Sequence, residues 1–326
     1  MRITFLGTSS GLPTKERNVS GIALRFDQSS DWMLFDCAEA TQHQLLYTPY
    51  SLPKLSHIFI THLHGDHCFG LFGLLATRSL NNAQKPITII GPVGIRKLLE
   101  TTFEITQTNF RFEININEID ARNTHFKIPK ASIEAIPLEH SISSYAFIIQ
   151  EIPKPGKFSV ELAKAKGIPS GPIYGKLKQE EKVKLPSGEI LDGKDFIEES
   201  TPGRKIIISG DNKNPELLFP YLKNCNLLIH EATYTEEVKA SVKDDFFHST
   251  ARAVAIVAQK SRISNLILTH FSARFSLQYS RAKKHSIDDV FQEVLAEYSG
   301  NCFLAKDLET YLLNAKGELS REKTKK

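Results

Sequence analysis

The segment ITHLHGDHCFGL, residues 60–71, places His62, His64, Asp66 and His67 within six consecutive positions. It follows a short run of β-branched and aromatic residues, so the four side chains crowd the end of a strand. Imidazole and carboxylate are ligands suited to zinc, and a turn that packs them together is costly without a cation to satisfy them. Three further strand-like runs end in the same residue types: IEAIPLEH in His140, KIIISGD in Asp211 and NLILTH in His270. In sheet proteins, sites assemble where strand ends converge at one edge. Five histidines and two aspartates exceed the needs of one tetrahedral zinc and suit two metals sharing a carboxylate. Two divalent cations outweigh two carboxylates, so such a cage favours an anionic substrate.

The runs RITFLG, GIALRF, WMLFDC, HIFITH, PITIIG, SYAFIIQ and NLLIHEA also read as strands. Helical spacing of apolar residues predicts helices over 70–80, 93–103, 250–261 and 287–298, with Ser286 as a cap for the last. Strands in such numbers with interspersed helices indicate an α/β protein with helix-covered sheets. A net charge of +4 permits a polyanionic partner without requiring one. The four cysteines are scattered and form no C-x-x-C pair, which argues against a disulfide framework and for a reducing, cytoplasmic setting. No apolar run is long enough to span a bilayer, so no membrane partner is expected.

Residues 153–203 break this rhythm with six prolines and seven glycines, a composition incompatible with long regular elements. The segment is too long for an ordinary loop and is expected to be either disordered or functional. Its part from 154 to 184 carries eight lysines against three glutamates. The terminal LSREKTKK reads as a solvated tail.

With H-x-H-x-D-H followed by separate His, Asp and His, the chain resembles the metallo-β-lactamase fold. Within that fold it is similar to the short-form tRNA 3′-endonucleases, the ribonuclease Z family, from ITFLGTSSG through HFSARF to LAKDLETYLL. The resemblance implies an αββα sandwich formed by 1–152 and 204–316, an inserted flexible arm at 153–203 and a basic tail at 317–326. It implies two zinc ions per subunit, with manganese as the alternative. His62, His64, His140 and a bridging Asp211 would hold one ion, and Asp66, His67, His270 and the shared Asp211 the other.

The metal motif alone does not choose among lactamase-like hydrolases, thioesterases and nucleases. Three other segments do. PTKERN resembles the family's P-x-K-x-R-N loop for the tRNA 3′ end, which implies substrate contacts by Lys15, Arg17 and Asn18. HEAT and FHST imply His248 as proton donor to the leaving oxygen, with Glu231 orienting it, and Asp66 as acceptor of the attacking water's proton. GIPSGPIYGKLKQ resembles the family's elbow-gripping motif and implies tRNA contacts by Gly171, Pro172, Lys176 and Lys178. The implied partners are precursor tRNA and a second copy of the chain in a homodimer. A small-molecule phosphodiesterase of the same fold would keep the cage but has little use for the arm. A non-catalytic RNA-binding relative would have lost ligands, and all seven are present.

Overall fold

The computed structural model describes residues 1–153, 156–185, 187–198, 200–243, 247–277 and 284–322. The chain divides into two compact units, Met1–Gln150 with Lys205–Lys326, and Glu151–Arg204.

Among the described residues, the first unit contains an eight-stranded and a seven-stranded sheet. Ile3, Phe5, Phe35 and Phe59 of the first sheet share one core with Ile133, Phe147, Ile206, Ile229 and Ile267 of the second. The outer face of the second sheet packs on helices Ala251–Lys260 and Ile287–Glu297 through Val254, Ala258, Val290 and Val294. Helices Leu71–Leu80 and Ile95–Ile105 cover the first sheet through Leu71, Leu74, Leu75, Ile95 and Leu99. The architecture is the αββα sandwich of the metallo-β-lactamase fold. Each run read as a strand becomes one, and helix 287–297 carries a full capping box between Ser286 and Asp289.

Strand direction positions the site. Trp32–Phe35, Leu55–Phe59 and Ile87–Pro92 run parallel in the first sheet. Lys205–Ile208, Leu227–Glu231 and Asn265–Thr269 run parallel in the second. Parallel neighbours deliver their carboxyl ends to the same edge, so Asp36, His62, Asp211, Glu231 and His270 emerge together. Phe35 and Phe59 stack at 4.9 Å, and Phe147 from the other sheet meets Phe59 at 5.2 Å. These three rings join the two sheets directly behind the strand ends.

One expectation changes. The terminal segment is not all tail: Leu319–Arg321 pairs antiparallel with Thr310–Leu313, because Leu319 turns into the shared core. Arg2 donates to Glu322 in a paired fork of 2.6 and 2.5 Å. Residues 323–326 of the expected tail lie outside the described residues. The inserted segment, as its composition implies, carries only short elements among its described residues. It has its own core of Ala163, Ile168, Tyr174, Leu177, Val183, Leu191 and Phe196, built on helices of six and seven residues and a two-stranded ribbon. Its ends are fastened to each other. The buried Arg204 guanidinium grips the Glu151 carboxylate through two bonds of 2.7 Å, and Glu151 N donates to Arg204 O. No helix among the described residues is long and apolar enough to cross a membrane.

Because Phe59 is fully buried between the sheets, Phe59→Ala is expected to cost about 3–5 kcal/mol of stability. A urea midpoint shifted to correspondingly lower concentration at unchanged m-value checks this; a shift under about 1 kcal/mol would mean the aromatic bridge contributes little.

Candidate metal centre

Strand Leu55–Phe59 runs into Thr61 and His62, and a four-residue helical turn, Gly65–Cys68, then presents Asp66 and His67 on one side. His140 follows Ala131–Leu138. Asp211 follows Lys205–Ile208 through Gly210, where a Cβ would stand 2.6 Å from that of Thr61. Only glycine allows the two strand ends to approach this closely. Asp36 and His270 each end a strand in the left-handed region, at φ 57° and 59°, so the chain turns sharply at the functional side chain.

The structure brings all seven candidate ligands together. His62, His64 and His140 form one group and Asp66, His67 and His270 a second, the ligand atoms in each lying within 4.8 Å of one another. Asp211 stands between them. Its Oδ2 lies 3.6 Å from His62 Nε2 and 4.0 Å from His140 Nε2. Its Oδ1 lies 3.5 Å from both His67 Nε2 and His270 Nε2. One oxygen therefore faces each group.

The ring tautomers are set from outside. His67 Nδ1 donates to Asp36 Oδ2 at 2.7 Å, and His140 Nδ1 to the carbonyl of Phe247 at 3.1 Å. The Thr61 hydroxyl donates to Asp36 at 2.9 Å, leaving its oxygen to accept from His62 Nδ1 at 3.0 Å. The Thr233 hydroxyl donates to Glu231 at 2.5 Å and accepts from His270 Nδ1 at 3.1 Å. In each case Nδ1 carries the proton and the Nε2 lone pair points inward, the arrangement of metal-ligating histidines.

This interior fits a cation. His62 Nε2 is fully buried with no hydrogen-bond partner. His67 Nε2 and His270 Nε2 approach to 3.2 Å with their Nδ1 protons committed elsewhere, so two lone pairs would oppose each other without positive charge between them. Burial disfavours a charged His67, yet Asp211, Asp36 and Asp66 outweigh it and hold its pKa well above the ordinary value. Burial also pushes the Asp211 and Asp66 carboxyls upward, but the surrounding histidines prevail and keep both well below the usual range. His62 is driven well below its ordinary value by burial and by neighbouring His67, which leaves its lone pair free. The pocket selects positive charge at its centre.

A cavity of about 310 Å³ opens on this centre, lined by Gly11, His64, Asp66, His140, Phe247 and His248. His248 Nδ1 lies 3.1 Å from Glu231 Oε1. Burial lowers the His248 pKa, but Glu231 and Asp211 raise it to about 9. Buried Glu231 accepts from Asn212 N, Thr233 N, the Thr233 hydroxyl and Ser249 N besides His248. Burial raises its pKa, His248 more than reverses this, and the carboxyl falls to about 2.

The loop after the first strand carries Lys15, Arg17 and Asn18, the residues expected at the substrate. Lys15 is exposed. Arg17, expected at the substrate, is only 3% exposed, and its Nη2 donates to the carbonyls of Ser272 and Phe275 at 3.1 and 2.7 Å. Its Nε and Nη1 are buried with no hydrogen-bond partner among the described residues. Asn18 donates from its backbone to Asp307 Oδ2 at 2.6 Å and from its side chain to Glu39 O. Gly171, Pro172, Lys176 and Lys178 are exposed in the second unit, where Pro172 opens the helix Pro172–Lys178. Sequence reasoning missed Asp36, Thr61, Thr233 and the Gly11 amide, which donates to Asp66 Oδ2 at 2.7 Å. The run WMLFD carries the same strand-end signature as KIIISGD and could have disclosed Asp36.

Asp36→Ala removes the acceptor that sets the His67 tautomer and should weaken metal binding 10–100-fold, the usual scale for such a partner. Competition with a chromophoric chelator measures it, and an unchanged affinity would remove Asp36 from the centre.

A family model described as "Anti-Pycsar protein Apyc1" matches residues 1–155. Ribonuclease Z of Pseudomonas putida strain GB-1 is 40% identical over 317 residues, 97% of this chain and 98% of its own. Ribonuclease Z of Brevibacillus brevis is 44% identical over 276 residues, covering 84% of this chain and 86% of its own. The crystal structure of human tRNase Z, short form, aligns with a TM-score of 0.65 at 28% identity, over 95% of this chain and 98% of that one. With these relatives matched nearly end to end, the chain belongs to the ribonuclease Z family.

Proposed function

We propose that the chain is a tRNA 3′-processing endoribonuclease. It hydrolyses the phosphodiester after the discriminator nucleotide and leaves a tRNA 3′-hydroxyl and a 5′-phosphorylated trailer. The reading is supported by family membership. The single observation that carries the chemistry is the buried Asp211 carboxylate, with one oxygen toward each group of ligand side chains. His62, His64 and His140 would hold one zinc with Asp211, and Asp66, His67 and His270 the other. Divalent cations in such a pair activate water and stabilise the attacking and leaving oxygens of an in-line displacement.

The chain's own groups supply the proton transfers. Asp66, fixed by the Gly11 amide, orients the attacking water and takes its proton. As the bond from phosphorus to the 3′ oxygen breaks, His248 gives that oxygen a proton, and Glu231 keeps the imidazolium charged. Cations held by Asp211 would offset its contribution at His248 and leave Glu231 as the carboxylate beside the ring. The lysines of the second unit would attract the tRNA backbone away from the scissile bond, in the cytoplasm and within a homodimer. Cleavage of a precursor tRNA with mapped ends, beside turnover of a small phosphodiester, tests the reading. A chain that turns over only the small ester is a phosphodiesterase instead.

His248→Ala should slow single-turnover cleavage roughly 10²–10⁴-fold with tRNA affinity retained. Glu231→Gln removes the negative charge that stabilises the imidazolium, so the His248 pKa falls. The alkaline limb of the pH–rate profile should then move to lower pH. A limb that stays in place would show that His248 is not the titrating donor.

Replacing the interior of the second unit with a Gly/Ser link that keeps Glu151 and Arg204 should spare hydrolysis of a small activated phosphodiester. Precursor tRNA should bind more weakly, each lost phosphate contact reducing the slope of log affinity against log salt by about 0.7–0.9. An unchanged tRNA affinity and salt slope would reduce the insertion to a linker.

A further inference from the structure

We infer that Arg17 and Asp307 are positioning residues that lock the loop 8–18 onto the metal centre and so build the Asp66/His67/His270 half of it, an inference that rests on the two-ion reading above. The loop touches that half twice. Gly11 N donates to Asp66 Oδ2 at 2.7 Å, which fixes the carboxylate of one candidate ligand. Ser9–Ser10 pairs in parallel with Phe271–Ser272, the two residues that follow His270, and Phe271 N donates to Thr8 O at 2.8 Å. His270 sits in the left-handed region at φ 59°, a conformation that persists only where neighbouring chain holds it.

Two charges, the buried Arg17 and the half-buried Asp307, fasten this loop. Arg17 Nη2 spans to Ser272 O at 3.1 Å and Phe275 O at 2.7 Å, gripping the turn that leaves His270. Asp307 Oδ1 accepts from the Thr8 hydroxyl at 2.7 Å, and its Oδ2 from Asn18 N at 2.6 Å and Gln44 Nε2 at 2.9 Å. Thr8 and Asn18 are the two ends of the loop, which are also joined by Thr8 N and Ser9 N donating to Asn18 O. Asp307 therefore closes the loop at its base, while Arg17 presses it against the His270 segment. Neither residue reaches the interior of the centre. By contrast, among the bonds described above, the orienting contacts of the other half come from Thr61 to His62 and Phe247 to His140, outside this loop. Loosening the loop should therefore disturb one half-site and leave the other.

The test is stepwise zinc titration of chelator-stripped protein against a chromophoric competitor, for the parental chain, Arg17→Met, Arg17→Lys, Asp307→Ala and Asp66→Ala. The parental chain should take up two ions. Arg17→Met and Asp307→Ala should weaken one step 10–100-fold, the usual cost of losing a partner that orients a ligand, and leave the other within about twofold. Arg17→Lys, able to reach one carbonyl, should fall between. The weakened step should be the one that Asp66→Ala also removes, so combining Arg17→Met with Asp66→Ala should leave the remaining step no weaker than Asp66→Ala alone. If both steps weaken together with a lowered thermal midpoint, Arg17 supports the fold and the inference is wrong. Two unchanged steps also overturn it. A parental chain that binds a single ion overturns the two-ion reading itself, and this is seen before any variant is compared.

Discussion

The Asp211 carboxylate is 3% exposed, in a position where an isolated negative charge would be strongly disfavoured. What makes it tolerable is the ring of histidines around it, each of which holds its pKa down. The converse also holds: a pocket of inward-facing Nε2 lone pairs is unfavourable unless positive charge enters it. The carboxylate and the cations it calls for are thus mutually required, and the fold is arranged to deliver them. Parallel strands from both sheets end at one edge, Gly210 lets two of those ends close up, and the Phe35–Phe59–Phe147 bridge keeps the sheets in register behind them. Hydrogen bonds to Nδ1 then rotate the rings so that every inward atom is a potential ligand.

Much of this was legible in the sequence because the chemistry is written in local runs. A β-branched run followed at once by His or Asp identifies both a strand and what it carries, and the parallel sheets do the rest. What could not be read depended on partners far along the chain. The run WMLFD marks Asp36 as a strand-end carboxylate, but only the approach of His67 gives it a role. Arg17 sits in a short charged motif that reads as a solvent-facing contact. Its acceptors are the carbonyls of Ser272 and Phe275, more than 250 residues away, and no local pattern announces that a guanidinium will be buried against them. The second unit was equally opaque, because its core is spread over single apolar residues from Ala163 to Phe196 with no sustained period. Leu319 hid in the same way: one apolar residue in a charged tail was enough to anchor a strand.

The burial of Arg17 bears on how this loop would meet a substrate. With its guanidinium turned inward, the segment 13–18 presents Lys15 and Glu16 to solvent, a pair whose charges cancel. The net attraction of this loop for a polyanion is then small, and its contribution is shape and the placement of the Gly11 amide. A positive metal cage draws in one phosphate at the scissile bond but cannot distinguish a folded tRNA from any other phosphodiester. Long-range selection requires cations spread over a distance comparable with the tRNA itself. On the reading proposed above, the lysines of the second unit, whose ends are clamped by Arg204 and Glu151, would supply such cations. On that reading, chemistry and recognition draw on different compact units of the chain.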